Sequence, residues 1–233
     1  MNLFYQPQLP QGIHYLDPDE SRHAVKVLRK KTGDPIRLTD GKGLYYDATI
    51  TTADAHRCSF DIIQKIPEAL RTFSIHIAIS PTKHPDRIEW FVEKAVEFGI
   101  DDITLIACDH TERQHLKLER LEKMAISAMK QSLRATLTHI HPLTNFRNVI
   151  LNNNAQQKFI AHVDHDNQDQ LKNLATPGTS YLVLIGPEGD FSEEELSLAE
   201  ARDFKKISLG PARLRTETAG LAACHILNLA NTP

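Results

Sequence analysis

Two turns near the C-terminus hold the residues best suited to chemistry. In the first, the apolar run Leu182-Val183-Leu184-Ile185 stops at Gly186-Pro187-Glu188-Gly189-Asp190. Ser192, with Glu195 three residues on, then forms a capping box that starts a helix. In the second, Lys206-Ile207-Ser208-Leu209 runs into Gly210-Pro211, followed by Arg213-Leu214-Arg215-Thr216-Glu217-Thr218 and a long apolar helix. Glycine lacks a Cβ and admits a ligand to the main chain. Paired strand–turn–helix units predict a crevice at the carboxyl ends of parallel strands. Neither turn is followed by a lysine suited to a terminal phosphate. The chemistry indicated is backbone hydrogen bonding to an adenosine-like cofactor, with Ile185, Leu209 and Leu214 around its ring. Either turn alone reads as a tight structural connection; the pair is more informative.

Other chemistries lack their residues. No GxGxxG follows an early strand, no GxxxxGK[ST] is present, and GxSxG is missing. His162, Asp164, His165 and Asp166 cluster, but their spacing matches no ligand motif, so no metal is expected. Cys58, Cys108 and Cys224 are scattered, without CxxC, which points to a reducing compartment rather than a disulfide framework. The N-terminus lacks the features of a signal peptide and no apolar run reaches membrane-spanning length, so a cytoplasmic protein is expected.

The elements that must position the turns follow from periodicity. Residues 1–70 read as a small β-rich unit. Asp17-Pro18-Asp19-Glu20 starts a helix running to about residue 30. Strands are predicted over residues 36–39, 44–51 and 57–63, with Gly41-Lys42-Gly43 as a hairpin link, which together suggest a small barrel. A linker is expected at 67–71. From residue 73 to 233, strands near 73–79, 103–106, 139–141, 159–163 and 182–185 alternate with helices near 84–98 and 116–134. Alternation of this kind predicts an α/β domain with a parallel sheet. The last helix, 216–230, is apolar nearly all round, which predicts a central position or a subunit interface.

The 233 residues carry a formal net charge of -3, which excludes a strongly basic nucleic-acid binder on average but not a local patch. Arg22, His23, Lys26, Arg29, Lys30 and Lys31 form such a run without an acid. It is either a solvated helix face or a surface that docks a nucleic-acid backbone.

Leu184-Ile185-Gly186-Pro187-Glu188-Gly189, Leu209-Gly210-Pro211 and Leu214-Arg215-Thr216-Glu217-Thr218-Ala219 together closely resemble the RsmE family of SPOUT-superfamily methyltransferases. His23 with Val27-Leu28-Arg29, and Glu93-Lys94-Ala95-Val96-Glu97-Phe98-Gly99, resemble further family segments, so the likeness spans nearly the whole chain. The resemblance implies a PUA-like RNA-binding barrel followed by a methyltransferase domain with a C-terminal trefoil knot. It implies S-adenosylmethionine as cofactor, a homodimer, and methylation of N3 of a uridine in 16S ribosomal RNA, free or in the small subunit. Carried onto this chain, the cofactor site comprises Ile185, Gly186, Pro187, Glu188, Gly189, Leu209, Gly210 and Leu214. The RNA-binding set is Arg22, Lys26, Arg29, Lys30 and Arg134. Two departures stand out: Asp190 where the family often has a second glycine, and a loop after Arg134 that does not follow the family pattern.

N3 of neutral uracil carries a proton and is a poor nucleophile, so the reaction needs a base or stabilisation of the uracil anion. Arg215 is the preferred functional cation. Glu217 and Glu188 are alternative bases; each also has a structural use, Glu217 at a helix N-terminus and Glu188 in its turn. Two other functions compete: a ribose 2′-O-methyltransferase of the same superfamily, and a non-catalytic RNA-binding assembly protein.

Overall fold

The computed structural model describes residues 2–112, 116–162 and 169–232. The chain divides into two compact units. The first comprises residues 1–70 together with 126–137, and the second 71–125 together with 138–233. The sequence boundary falls at 70–73; the return of residues 126–137 to the first unit has no counterpart in the linear pattern.

In the first unit, β1 (Leu3–Tyr5), β2 (Pro35–Thr39), β3 (Leu44–Thr52) and β4 (Ser59–Pro67) form a four-stranded sheet in chain order. β1 runs parallel to β2 and the remaining pairs are antiparallel. Phe4, Leu16, Leu38, Tyr46, Ile50 and Phe60 fill its core. β4 extends through Pro67, which the sequence reading gave to the linker; proline is tolerated at the end of an edge strand.

The predicted 17–30 helix is shorter and changes type. Asp17 caps α1 (Pro18–Arg22) by accepting the Glu20 amide at 2.8 Å. Residues His23–Val27 then widen into a π-helical turn, closed by Leu28 N–H to His23 O at 2.9 Å. Arg29 takes φ 55, and the Lys30 amide folds back onto Ala24 O at 3.0 Å, satisfying a late carbonyl as a helix C-cap does.

In the second unit six strands form one all-parallel sheet. They are β5 (Ser74–Ile79), β6 (Asp102–Ala107), β7 (His139–Asn145), β8 (Gln157–Ala161), β9 (Ser180–Ile185) and β10 (Lys205–Ile207). Their order is β10-β8-β9-β5-β6-β7. The predicted end of the 159–163 strand at Val163 lies outside the described residues. β5 and β9 are central and nearly continuous in apolar residues, as strands covered on both faces must be.

The helices are α2 (Pro85–Glu97), α3 (Leu118–Gln131), α4 (Phe146–Leu151), α5 (Leu171–Leu174), α6 (Glu193–Glu200) and α7 (Thr216–Ala230). α2 buries Ile88, Phe91, Val92, Ala95 and Val96, the predicted stripe, and Gly99 follows it at φ 83. α3 also ends on a left-handed residue, here a leucine: Leu133 is at φ 58, and Arg134 N–H reaches Met129 O at 3.0 Å. α7 packs against α2, β5 and β9. Gly220 makes that approach possible, because a Cβ there would fall 2.7 Å from Phe91 and 3.0 Å from Ile79.

Candidate functional site

The carboxyl ends of β8, β9 and β10 open into a cleft of about 770 Å³, a size that suits a nucleoside-sized ligand. Of the residues predicted to hold a cofactor, Ile185, Gly186, Pro187, Glu188, Leu209, Gly210 and Leu214 line it. Gly189 does not. The absent side chain of Gly189 makes room for His110, whose Cβ would be 3.1 Å from an added Cβ. Gly186 admits the Phe191 ring in the same way, also at 3.1 Å. Only Gly210, at φ 133, needs glycine for its backbone angle. The glycines of the first turn thus let side chains of the protein pack closely, a use the sequence pattern does not distinguish from ligand access.

The loop after β9 is tied down from several sides. Ser192 caps α6, and the reciprocal Glu195-to-Ser192 bond completes the predicted capping box. Glu195 also accepts the Asp109 amide at 3.1 Å, and Ser192 Oγ donates to Asp109 Oδ2 at 2.6 Å. Burial pushes the Glu195 carboxyl above its ordinary pKa, despite those two donated amides. Glu188 Oε1 accepts the Lys83 amide at 3.2 Å, so it braces the loop after β5.

The two residues singled out for catalysis part company. Arg215, the residue before α7, lines the cleft. Glu217, in the first turn of α7, does not. Its side chain is 9% exposed, with Oε1 3.9 Å from Arg87 Nε on α2. Oε2 is buried without a hydrogen-bond partner among the described residues. Between them, Thr216 Oγ1 donates to Gly186 O at 3.0 Å and ties the start of α7 to the first turn.

His162, which the sequence places near the end of the strand predicted over 159–163, lines the cleft just after β8. Its neighbours Asp164, His165 and Asp166 lie outside the described residues. Among the described residues no group of three or more His, Cys, Asp or Glu could hold a metal ion. His162 approaches Asp190, also in the cleft wall, to 2.9 Å. The only sequence signal for this pairing was that Asp190 stands in a glycine-rich turn.

The candidate RNA-binding residues all belong to the first unit, because Arg134 returns to it with residues 126–137. Arg22, Lys26 and Arg29 are exposed. Lys30 Nζ is partly committed, donating to Pro35 O at 2.9 Å, and Arg22 pairs with Asp19 at 3.3 Å.

An all-parallel α/β domain with a cleft at its strand ends, accompanied by a small β unit, defines a class of two-domain nucleotide-cofactor enzymes. Comparison with known proteins narrows the class. An RNA methyltransferase domain model matches residues 69–228, and an RNA methyltransferase PUA domain model matches residues 16–63. The chain belongs to this RNA methyltransferase family. It is 42% identical to a probable rRNA-methyltransferase from Porphyromonas gingivalis, with a TM-score of 0.94 over 99% of this chain and 98% of that one. A ribosomal RNA small subunit methyltransferase E from Neisseria gonorrhoeae, solved bound to S-adenosyl methionine, is 27% identical with a TM-score of 0.85, over 99% of this chain and 98% of that one. Ribosomal RNA small subunit methyltransferase E of Buchnera aphidicola is 29% identical over 97% of this chain and 91% of its own length. The RsmE resemblance drawn from the turn motifs is borne out.

Proposed function

We propose that the protein uses S-adenosylmethionine to methylate N3 of a uridine in 16S ribosomal RNA, at the position numbered 1498. The observation that carries this reading is the cleft itself. Both glycine turns and Arg215 converge there, in a chain whose relatives along nearly its full length are small-subunit rRNA methyltransferases.

The cleft suits the cofactor. Ile185, Leu209 and Leu214 offer apolar surface for an adenine ring, and the two turns bring main chain into the cleft wall at Gly186 and Gly210. S-adenosylmethionine, when bound, supplies a methyl group already activated by its sulfonium. The protein then has to hold the uracil in line and lower the cost of removing its N3 proton. Arg215 is the cation placed to stabilise the uracil anion or an adjoining phosphate. Glu217 is better placed to hold Arg87 and the start of α7 than to reach substrate, which leaves anion stabilisation as the favoured route. Arg22, Lys26, Arg29, Lys30 and Arg134 form the candidate phosphate-contacting set in the PUA-like unit, and the target base must leave any stack to react.

A trefoil knot is part of the proposal, supported by the family and by α7 packing back on β5 and β9 after both cleft loops. A homodimer is supported by large apolar side chains left exposed on the α2–α7 layer, Trp90 at 42% and Leu229 at 58%. A cytoplasmic location follows from the proposed substrate; among the described residues no helix is long and apolar enough to cross a membrane.

Calorimetry with S-adenosylmethionine, followed by mass spectrometry of 16S RNA treated with the protein, tests the reading. Cofactor binding and N3-methyluridine are expected. Absence of binding would remove the enzyme; a 2′-O-methylated product would favour the ribose methylase.

A further inference from the structure

Asp190 is the least relaxed residue of the cleft. It sits at φ 64, in the left-handed region that glycine favours and that aspartate enters only at a cost. A local bond offsets part of that cost, with Oδ1 accepting the Phe191 amide at 2.8 Å. Two imidazoles converge on the same residue. His110 Nδ1 is 3.0 Å from the Asp190 carbonyl oxygen. His162 Nδ1 is 2.9 Å from Oδ2, buried, but not aligned for a formed hydrogen bond.

These groups come from three strand ends: His110 after β6, His162 after β8 and Asp190 after β9. A glycine would relax the backbone at 190 but would remove the carboxylate beside His162. Strain held at a ligand-facing position is a pointer to use. Of the two imidazoles, only His162 belongs to the cleft wall. Its side chain is 20% exposed and that of Asp190 is 30% exposed, so both meet the space a ligand occupies.

We propose that Asp190 is a positioning residue for His162, and that His162 is a hydrogen-bonding contact to bound S-adenosylmethionine. The carboxylate lies 2.9 Å from the Nδ1 edge of the ring and attracts it electrostatically, which favours the rotation that turns the Nε2 edge to a polar group of the cofactor. His110 anchors the Asp190 carbonyl and so holds the carboxylate in place. The inference rests on the cofactor reading of the cleft.

The test is calorimetry of the full-length protein with S-adenosylmethionine, combined with melting of the cofactor-free protein. Asp190→Gly removes the carboxylate and relaxes the backbone. Asp190→Asn keeps the size and the tolerance of left-handed backbone while removing the charge. Both variants, and His162→Ala, are expected to bind the cofactor about tenfold more weakly, while the cofactor-free Asp190→Asn protein melts as the parent does. The double variant Asp190→Gly/His162→Ala is expected to be no weaker than either single one, because the residues act as a unit. In steady state the KM for the cofactor rises and kcat changes less than about threefold. Additive losses, or Asp190→Asn binding within about twofold of the parent, overturn the proposal while leaving the cofactor site intact. Failure of the unaltered protein to bind S-adenosylmethionine overturns the cofactor reading and this role together.

Discussion

The Thr216 hydroxyl donates to the Gly186 carbonyl at 3.0 Å, across thirty residues of sequence. It joins the first residue of α7 to the turn after β9, and so ties the two walls of the cleft together. Thr216→Val keeps the shape and deletes the donor. The expected loss is about 1 kcal/mol, seen as roughly fivefold weaker cofactor binding by calorimetry and a melting temperature lower by a few degrees. Thr216→Ser should retain the affinity. Equal affinity of the valine variant and the parent would show that the two walls do not depend on this bond.

Glycine inside a helix is ordinarily the weak point, and alanine there adds about 1 kcal/mol of stability. Gly220 should behave in the opposite way. An added methyl would lie 2.7 Å from Phe91 Cε2 and 3.0 Å from Ile79 Cδ1, both buried. Overpacking of that kind costs about 1–3 kcal/mol. Gly220→Ala should therefore lower the denaturation midpoint, and a raised midpoint would mean that α7 can shift outward freely.

Glu217 separates a structural from a catalytic carboxylate. It is buried near Arg87, and one of its oxygens lacks a hydrogen-bond partner among the described residues. If it serves the protein's own packing, Glu217→Gln should keep methyl transfer within about threefold of the parent, whereas loss of a general base removes about a hundredfold or more. Single-turnover rates on 16S RNA decide the matter. A hundredfold drop with unchanged melting would make Glu217 the base.

Acid sensitivity should be traceable to β5. His76 contacts Thr104 Oγ1 through Nε2 at 2.8 Å, and burial holds its imidazole pKa down to about 4, with the nearby His141 adding to the effect and Asp102 opposing it. In the unfolded chain the ring takes its proton near pH 6.5. The unfolded state thus binds the proton first, and stability that is complete above pH 6.5 drains away as the pH falls toward 4. Glu195 acts in the other direction: its raised carboxyl favours folding below its ordinary pKa and loses that contribution as pH rises. Denaturant titrations should show a loss of about 2 kcal/mol between pH 6.5 and 4.5. His76→Gln should flatten that slope; an unchanged slope would place the titration elsewhere.

Much of this architecture can be read from local signals, because local chemistry produces it. Asp17 and Ser192 make the side-chain caps their sequence contexts predict, and Gly99 ends α2 in the left-handed conformation. The alternation after residue 73 gives a parallel sheet for the same reason. What escaped the pattern depends on residues distant in the chain. Leu133 ends α3 in a conformation usually left to glycine, and residues 126–137 return to the first unit, where Thr39 Oγ1 donates to Ala135 O at 2.8 Å. Gly189 looked like a ligand-approach glycine, yet its space belongs to His110. The pairing of His162 with Asp190 was not legible, because nothing in a linear sequence announces an aspartate on the neighbouring strand end.

The order of the second sheet has a consequence for the newborn chain. β5 is complete at residue 79, but its neighbour β9 does not begin until residue 180. At a synthesis rate of about 5–20 residues per second, one apolar edge of β5 waits roughly 5–20 s for its partner. α7, which packs against β5 and β9, follows both in the chain. The cleft is therefore completed only after α7 follows β9 and β10, and a chain interrupted before α7 would leave an apolar face of β5 and β9 uncovered.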